Sequence, residues 1–325
     1  TATSGPGISL MSEFLGLAYF AEIPCVLVNV QRAGPSTGMP TRPQQSDIMA
    51  CAYASHGDTK HVLLFPSTPA ECFDMGAEAF DLAEQLQTPV IIMNDLDLGM
   101  NDSMSPPLKW DDSREYQRGK VYTSEQLEAM SERFGRYLDS DGDGIPYRTY
   151  PGTHPEKGAF FTRGTSRDEY AVYTEDSAAY EYNMQRLLKK WDTAKTYVPD
   201  AEVIGQGSKV GVIYFGTSRD ATLEAVAALR DSGITVDSLR LRAFPFDASV
   251  DKFIAEHDTL FLVEQNRDAQ MRTLLVNELL ISPRSLIPIL NYGGMPITAR
   301  QIEKEIRQQL DENKVQPLRA AKENG

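Results

Sequence analysis

The chain reads as an α/β protein with two doubly wound domains. Three observations lead to that class. Short apolar runs at 25–30, 61–65 and 90–93 enter turns rich in glycine, proline or polar residues, as buried strands do. Helical segments fall between them, and strand, helix, strand at this spacing makes a parallel sheet. The same rhythm returns after Lys209, following a stretch at 101–199 rich in Asp, Tyr, Arg, Gly and Pro. A chain of 325 residues is expected to hold about two domains, here 1–199 and 200–325, each large enough for its own core.

The chain opens as the end of a strand that turns at Thr3-Ser4-Gly5-Pro6-Gly7 into a helix over 9–21. Leu10, Phe14, Leu17, Ala18 and Ala21 recur there at three- and four-residue spacing. A chain that begins inside a β–α unit predicts upstream polypeptide, missing here or supplied separately. Gly5 and Gly7 allow close approach to the helix start, where free backbone N–H groups can bind an anion. Thr68-Pro69-Ala70-Glu71 predicts the next helix, with Thr68 as cap, Pro69 in the first turn and Glu71 completing a capping box. The stretch at 101–199 is expected to be a long excursion, ending in a helix over 181–191. Either it packs over the sheet, against another subunit, or it is a surface insertion. Residues 199–208 read as a linker. Strands are then predicted at 210–214, 235–241, 259–263 and 286–290. Helices are predicted at 221–232, 250–256, 270–280 and 298–309, the last opened by a Thr298…Gln301 capping box. The charged tail after Leu310 is expected to fray.

Composition excludes several classes. A net charge of −14 argues against nucleic acid or an anionic membrane as partner, since both need a basic footprint. No apolar run approaches the roughly 20 residues of a spanning helix. Cys25, Cys51 and Cys72 lie in or near apolar segments without metal-site spacing. They suit core thiols of a reduced, cytoplasmic protein and supply no iron–sulfur or zinc site.

Most motifs have plain explanations. Gly216-Thr217-Ser218 lacks the second glycine of a nucleophile turn, so Thr217 or Ser218 is expected to cap a helix. No turn carries a dinucleotide fingerprint or phosphate loop. The four histidines are scattered and read as structural, with His56 closest to the loop of interest. Asp139-Ser140-Asp141-Gly142-Asp143-Gly144 alternates like a calcium loop, but Tyr150 stands where a bidentate glutamate is needed. An Asx-turn is the better reading, with no metal. Arg32 is different. The run at 25–30 delivers it into Ala33-Gly34-Pro35-Ser36-Thr37-Gly38-Met39-Pro40-Thr41, a loop suited to a small anion. Ligands sit at strand carboxyl ends in parallel sheets, and arginine matches a carboxylate two bonds at a time.

Thr3-Ser4-Gly5-Pro6-Gly7, Glu22-Ile23-Pro24, Val30-Gln31-Arg32, Gly34-Pro35-Ser36-Thr37-Gly38, Pro40-Thr41 and Gln45-Ser46-Asp47 together resemble the α subunit of 2-oxoacid:ferredoxin oxidoreductases. The 2-oxoglutarate, KorA-type enzymes are the nearest subfamily. Residues 142–149, Pro151-Gly152, Glu264-Gln265-Asn266 and Tyr292-Gly293-Gly294 extend the resemblance over essentially the whole chain. It implies a pyrimidine-type domain of thiamine diphosphate enzymes, with a long insertion, followed by a transketolase C-terminal-like domain. It implies oxidative decarboxylation of a 2-oxoacid with coenzyme A, giving acyl-CoA and CO2, with electrons passing to ferredoxin. Thiamine diphosphate, Mg2+ and a [4Fe–4S] cluster are expected mainly on a β subunit, in an α2β2 heterotetramer. Arg32 matches the arginine that binds the substrate carboxylate. Ser36, Thr37 and Thr41 are expected to add hydrogen bonds from a mobile loop, and Ser4, Gly5, Pro6 and Gly7 to lie near the cofactor. The family's Tyr-Pro-Ile-Thr-Pro segment and its pyrimidine-engaging glutamate lie upstream of the matched region, so a longer natural subunit is expected. Many relatives also carry a γ domain ahead of it. Because ferredoxins are usually acidic, this acidic chain predicts docking on the β subunit. Pyruvate or branched-chain 2-oxoacids, or a non-catalytic assembly role, are the alternatives.

Overall fold

The computed structural model describes residues 1–323, with side chains to residue 311. β1 (Ala2–Thr3) leads directly into α1 (Gly5–Ala21), whose first turn holds Pro6, where a missing N–H costs nothing. Of the stripe that marks this helix, Ala18 and Ala21 are buried, but Leu10 and Phe14 stand 84% and 71% exposed. Ile8, Leu15 and Tyr19 pack inward instead. The helix is apolar on more than one face, so spacing alone does not choose the packed one.

Two five-stranded sheets follow. The first runs β1, β2 (Cys25–Gln31), β4 (Pro89–Asp95), β3 (Val62–Leu64), β8 (Ala243–Phe244), parallel except for β8. The second runs β10 (Leu286–Leu290), β9 (Thr259–Glu264), β6 (Val210–Phe215), β7 (Asp237–Leu241), β5 (Glu202–Ile204), parallel except for β5. β5 lies inside the stretch read as linker. It is short, exposed and unpatterned, so its only signal is its pairing with β7. β8 crosses into the first sheet and pairs with β3, which joins the two halves through backbone hydrogen bonds.

The central strands are buried on both faces, and their side chains alternate between two cores. Ile213 and Phe215 join the large cluster shared with the first sheet. Val212 and Tyr214 face the smaller one beneath α7 (Arg219–Asp231) and α10 (Ala299–Glu323). α10 continues past Leu310 to Glu323, where the tail was expected to fray. Short helices α2 (Ile48–Ala52), α4 (Leu96–Met100) and α5 (Ser124–Ala129) carry too few turns to show a period. Among the described residues, no helix is long and apolar enough to cross a membrane.

Two expected caps form differently. At α3 (Pro69–Leu86), Thr68 accepts from the Glu71 N–H, but the Glu71 carboxylate reaches the N–H of Ser67, at 2.8 Å, rather than that of Thr68. Arg240 on β7 ion-pairs with the same carboxylate and draws it away. At α7 neither expected hydroxyl caps: Ser218 holds the cap position without a side-chain bond, and Thr217 donates to Asp95.

The excursion is anchored by buried charge. Glu22, at the end of α1, accepts from Arg186 at 2.9 and 2.6 Å and from Lys190 at 2.7 Å. Both cations come from α6 (Ser177–Ala194), and all three side chains are buried. Arg136 donates to the Glu22 carbonyl, and the Tyr137 hydroxyl donates to that of Ala21. Arg167 stacks 3.8 Å from the Tyr137 ring centre. Burial alone would raise the Glu22 carboxyl, but Arg186 and Lys190 outweigh it and hold the group well below the usual carboxylate range. Burial pushes the Lys190 ammonium down to about 8, against the pull of Glu22. Lys190 shares one carboxylate with Arg186, whose like charge works against it. The excursion therefore packs on α1 rather than floating as a surface insertion. In the aspartate-rich loop, Asp143 accepts from the Ile145 N–H, as an Asx-turn does. The Lys120 ammonium sits 2.8 Å from both Asp141 and Asp143. A side-chain cation thus stands among the carboxylates.

Two outcomes are expected in urea unfolding. Glu22→Gln leaves two buried cations under-compensated and lowers stability by about 3–5 kcal/mol at neutral pH. The second concerns His61, buried with Nε2 2.9 Å from the Ala54 carbonyl oxygen, where burial lowers its pKa to about 4. The unfolded chain takes up this proton below pH 6.5 and the native chain does not, so stability falls from pH 6.5 toward 4. At pH 5 the loss is about 2 kcal/mol relative to pH 7, and His61→Gln removes that component. Glu22 acts lower: its contribution is complete above pH 4.5 and declines as pH falls further.

Candidate functional site

The carboxyl ends of both sheets converge on one cleft of about 510 Å3. The first half supplies Gly5, Pro6, Arg32, Ser36 and Asp47, and the second supplies Asn266, Arg267, Asp268, Gln270 and Tyr292. The clasp that brings them together is polar. The Gln45 N–H donates to the Gln265 carbonyl at 2.8 Å, and Asn266 Nδ2 donates to the Gln45 carbonyl at 3.0 Å. The Gln45 amide reaches Asp95 Oδ2 at 3.1 Å, which also accepts from the Thr217 hydroxyl at 2.6 Å. Gln270 accepts from the Met49 N–H and donates to the Ser46 carbonyl at 2.7 Å. The segment after β2 and the segment after β9 therefore hold each other. Nearby, Tyr53 and Lys60 both bond Glu278, on α9 (Gln270–Leu279).

Arg32 is the first residue beyond β2, on a strand whose preceding polar side chains are already committed. Asn29 donates to the Asp47 carboxylate at 3.1 Å, and Gln31 accepts from the Asp47 N–H at 3.1 Å. Arg32 is half-buried, its Nε has no partner, and among the described residues it makes no ion pair. Burial raises the Asp47 carboxyl, and the Asn29 bond and the Arg32 charge only partly oppose this. Asp47 also packs on the start of α1: a side chain at Gly5 would come within 2.7 Å of its carboxylate.

The α1 N-terminus carries no acidic residue in its own first turn and no side-chain cap from Ser4, and the Asp47 carboxylate packs against it at Gly5. The start of α9 contrasts with it. Glu264 accepts from the Met271 and Arg272 N–H groups at 2.8 and 2.9 Å, which uses up that helix end. Burial raises the Glu264 carboxyl, against the bonds from Asn266 and the helix.

The residues singled out from sequence divide into two groups. Arg32, Gly5, Pro6 and Ser36 line the cleft. Ser4 and Gly7 lie behind its wall, with Gly7 packed on Thr3. Thr37 and Thr41 are exposed and outside the lining. The loop that carries them is braced: Ala33 takes the Met39 N–H at 2.9 Å and donates to the Arg42 carbonyl at 2.9 Å, and Gly34 N–H reaches Gln44. Gly38 adopts φ 53°, and a side chain there would collide with the Ala33 carbonyl. His56 is elsewhere. It pairs with Glu13 at 3.1 Å beside a separate, smaller cleft. Arg267, Asp268 and Gln270 were missed, although they follow a strand's carboxyl end just as Arg32 does.

Known proteins are similar to this chain in sequence and in fold. The family described as pyruvate flavodoxin/ferredoxin oxidoreductase, thiamine diP-binding, matches residues 1–191. The 2-oxoacid:ferredoxin oxidoreductase 2 subunit alpha of Aeropyrum pernix is 33% identical over 96% of this chain and 48% of its own length. The 2-oxoglutarate synthase subunit KorA of Methanothermobacter marburgensis is 32% identical over 83% of this chain and 70% of its own. A solved 2-oxoglutarate:ferredoxin oxidoreductase from Magnetococcus marinus, with 2-oxoglutarate, coenzyme A and succinyl-CoA bound, superposes with a TM-score of 0.85 at 28% identity. That match covers 95% of this chain and 52% of the solved one. The chain thus spans about half the length of the Aeropyrum relative and of the solved enzyme. A match this extensive, in sequence and in the fold that frames the cleft, means that the chain belongs to the 2-oxoacid:ferredoxin oxidoreductase family, among its alpha subunits.

Proposed function

We propose that this chain forms the substrate side of a thiamine-dependent 2-oxoacid:ferredoxin oxidoreductase, with 2-oxoglutarate as substrate and succinyl-CoA and CO2 as products. The observation that carries this reading is Arg32: a half-buried guanidinium without an ion-pair partner among the described residues, in a cleft at the carboxyl ends of both sheets. A carboxylate bound there meets a planar pair of donors. The Magnetococcus enzyme, with its bound 2-oxoglutarate, coenzyme A and succinyl-CoA, supports the choice of substrate.

Gly5 and Pro6 allow a cofactor close approach to the α1 start, with the Asp47 carboxylate packed beside them. Thiamine diphosphate, when bound, supplies the nucleophilic carbon and the electron sink for decarboxylation. Among the described residues, no three histidine, cysteine or carboxylate side chains gather as metal ligands. As the family resemblance implies, the proposal assigns Mg2+ and the [4Fe–4S] cluster to a β subunit, in a cytoplasmic α2β2 assembly. This chain's own work is to bind, orient and enclose. Arg32 fixes the substrate carboxylate and so limits how its keto carbon lies. Ser36 offers a hydroxyl from the braced loop. Asp47, held by Asn29 and Gln31, keeps its carboxylate off the incoming anion.

Replacing Arg32 in the assembled enzyme tests this directly. Arg32→Ala should lower kcat/KM for the 2-oxoacid by about two orders of magnitude or more, with Arg32→Lys intermediate. Unchanged turnover in Arg32→Ala would leave an assembly role as the better account. Comparing 2-oxoglutarate, pyruvate and branched-chain 2-oxoacids in one assay decides between the substrate alternatives. Charge sets a further expectation: with a net charge of −14, this chain repels an acidic ferredoxin. Crosslinking at low salt should label the β subunit, and labelling concentrated on this chain would overturn that assignment.

A further inference from the structure

The cleft lining contains two cations, Arg32 and Arg267, and two carboxylates, Asp47 and Asp268. Their situations differ. Asp47 is tied into β2 through Asn29 and Gln31. Asp268 has one partner, Arg267, its neighbour in the chain, at 2.7 Å and 3.1 Å. Both side chains are largely exposed, at 72% and 61%, so the pair is weakly held and open to exchange. Its backbone is fixed nonetheless. Asn266 on one side is bonded to Gln45 and Glu264, and Gln270 on the other is bonded to Ser46 and Met49. Arg267 and Asp268 are thus an exposed, mutually paired couple presented between two anchored residues. Tyr292, from the turn after β10, also lines the cleft. The other arginine of this region, Arg42, is outside the lining and donates to the Met295 sulfur.

We infer that Arg267 is a specificity-determining residue that takes the second carboxylate of a dicarboxylic 2-oxoacid, with Asp268 holding its guanidinium until substrate arrives. The inference rests on the proposed function, in which Arg32 takes the first carboxylate. A monocarboxylic acid needs one cation, and this cleft offers a second at the end supplied by the other half of the chain. Arginine suits the task, because a fork already bonded to one carboxylate in two places can exchange it for another of the same geometry. The phosphates of coenzyme A present the same anionic oxygens, so the test must separate the two.

In the assembled, full-length enzyme, kcat/KM is measured for 2-oxoglutarate and for 2-oxobutyrate, with KM for coenzyme A measured alongside. Arg267→Gln should lower the 2-oxoglutarate to 2-oxobutyrate ratio by about tenfold or more, chiefly through KM, with Arg267→Lys recovering part of it. Asp268→Asn releases Arg267 and should hold or raise that ratio. An unchanged ratio in Arg267→Gln overturns the inference while leaving the role of Arg32 standing. A rise confined to the KM for coenzyme A overturns it in favour of phosphate binding. An assembled enzyme that oxidises no 2-oxoacid removes the proposed function, and this inference with it.

Discussion

Gln45 lies buried where the carboxyl ends of the two sheets meet, and its backbone and amide groups are both spent on joining them. Its N–H and carbonyl bond the segment after β9, and its amide bonds Asp95 at the end of β4. A buried amide left without partners would be costly, so the two halves have one satisfactory arrangement here. That arrangement places the Arg32 loop opposite residues 266–270 and makes a cleft out of two surfaces that share no sequence neighbourhood. β8 reinforces it by lending a strand from the second half to the first sheet.

The electrostatics of the cleft follow from how its helix ends are answered, that of α9 by hydrogen bonds to Glu264 and that of α1 by Asp47 packed at Gly5. Glu264 neutralises the start of α9, whereas α1 begins with Gly5 and Pro6 and has no acidic residue in its first turn. The half-buried guanidinium of Arg32 lines the same cleft. In a chain that is strongly acidic overall, the cleft sets two arginines, Arg32 and Arg267, among two aspartates, Asp47 and Asp268. The excursion shows the opposite economy: Glu22 gathers Arg186 and Lys190, and Arg136 and Arg167 lie against the same end of α1. Such a cluster specifies one docking of 101–199 on α1, because a misplaced excursion would strand several buried charges.

Parallel α/β architecture was legible because buried central strands are continuous apolar runs, as at Val90 to Met93, and because such runs alternate with capped helices. Arg32 was legible for a related reason, since the rule placing ligands at strand carboxyl ends needs only a strand and its next turn. The same rule applied to Glu264 and Leu290 would have reached Asn266, Arg267 and Tyr292. Their signal was present and weaker, because no apolar run marks what faces them across the cleft. Thr37 and Thr41 stand exposed outside the cleft lining, because a hydroxyl in the right loop carries no record of which way the braced turn points it.

From sequence by itself came the strand and helix order, the acidic balance and the identity of the cation at the end of β2, all set by local pattern and composition. Tertiary structure alone decided which face of α1 packs, where β5 and β8 pair, and that Glu22 meets α6. It also decided that residues 266–270 complete the cleft begun by Arg32. Each of those depends on hydrogen bonds or ion pairs between residues far apart in the chain. Such pairs are chosen by the burial of whole surfaces, which no local window of sequence contains.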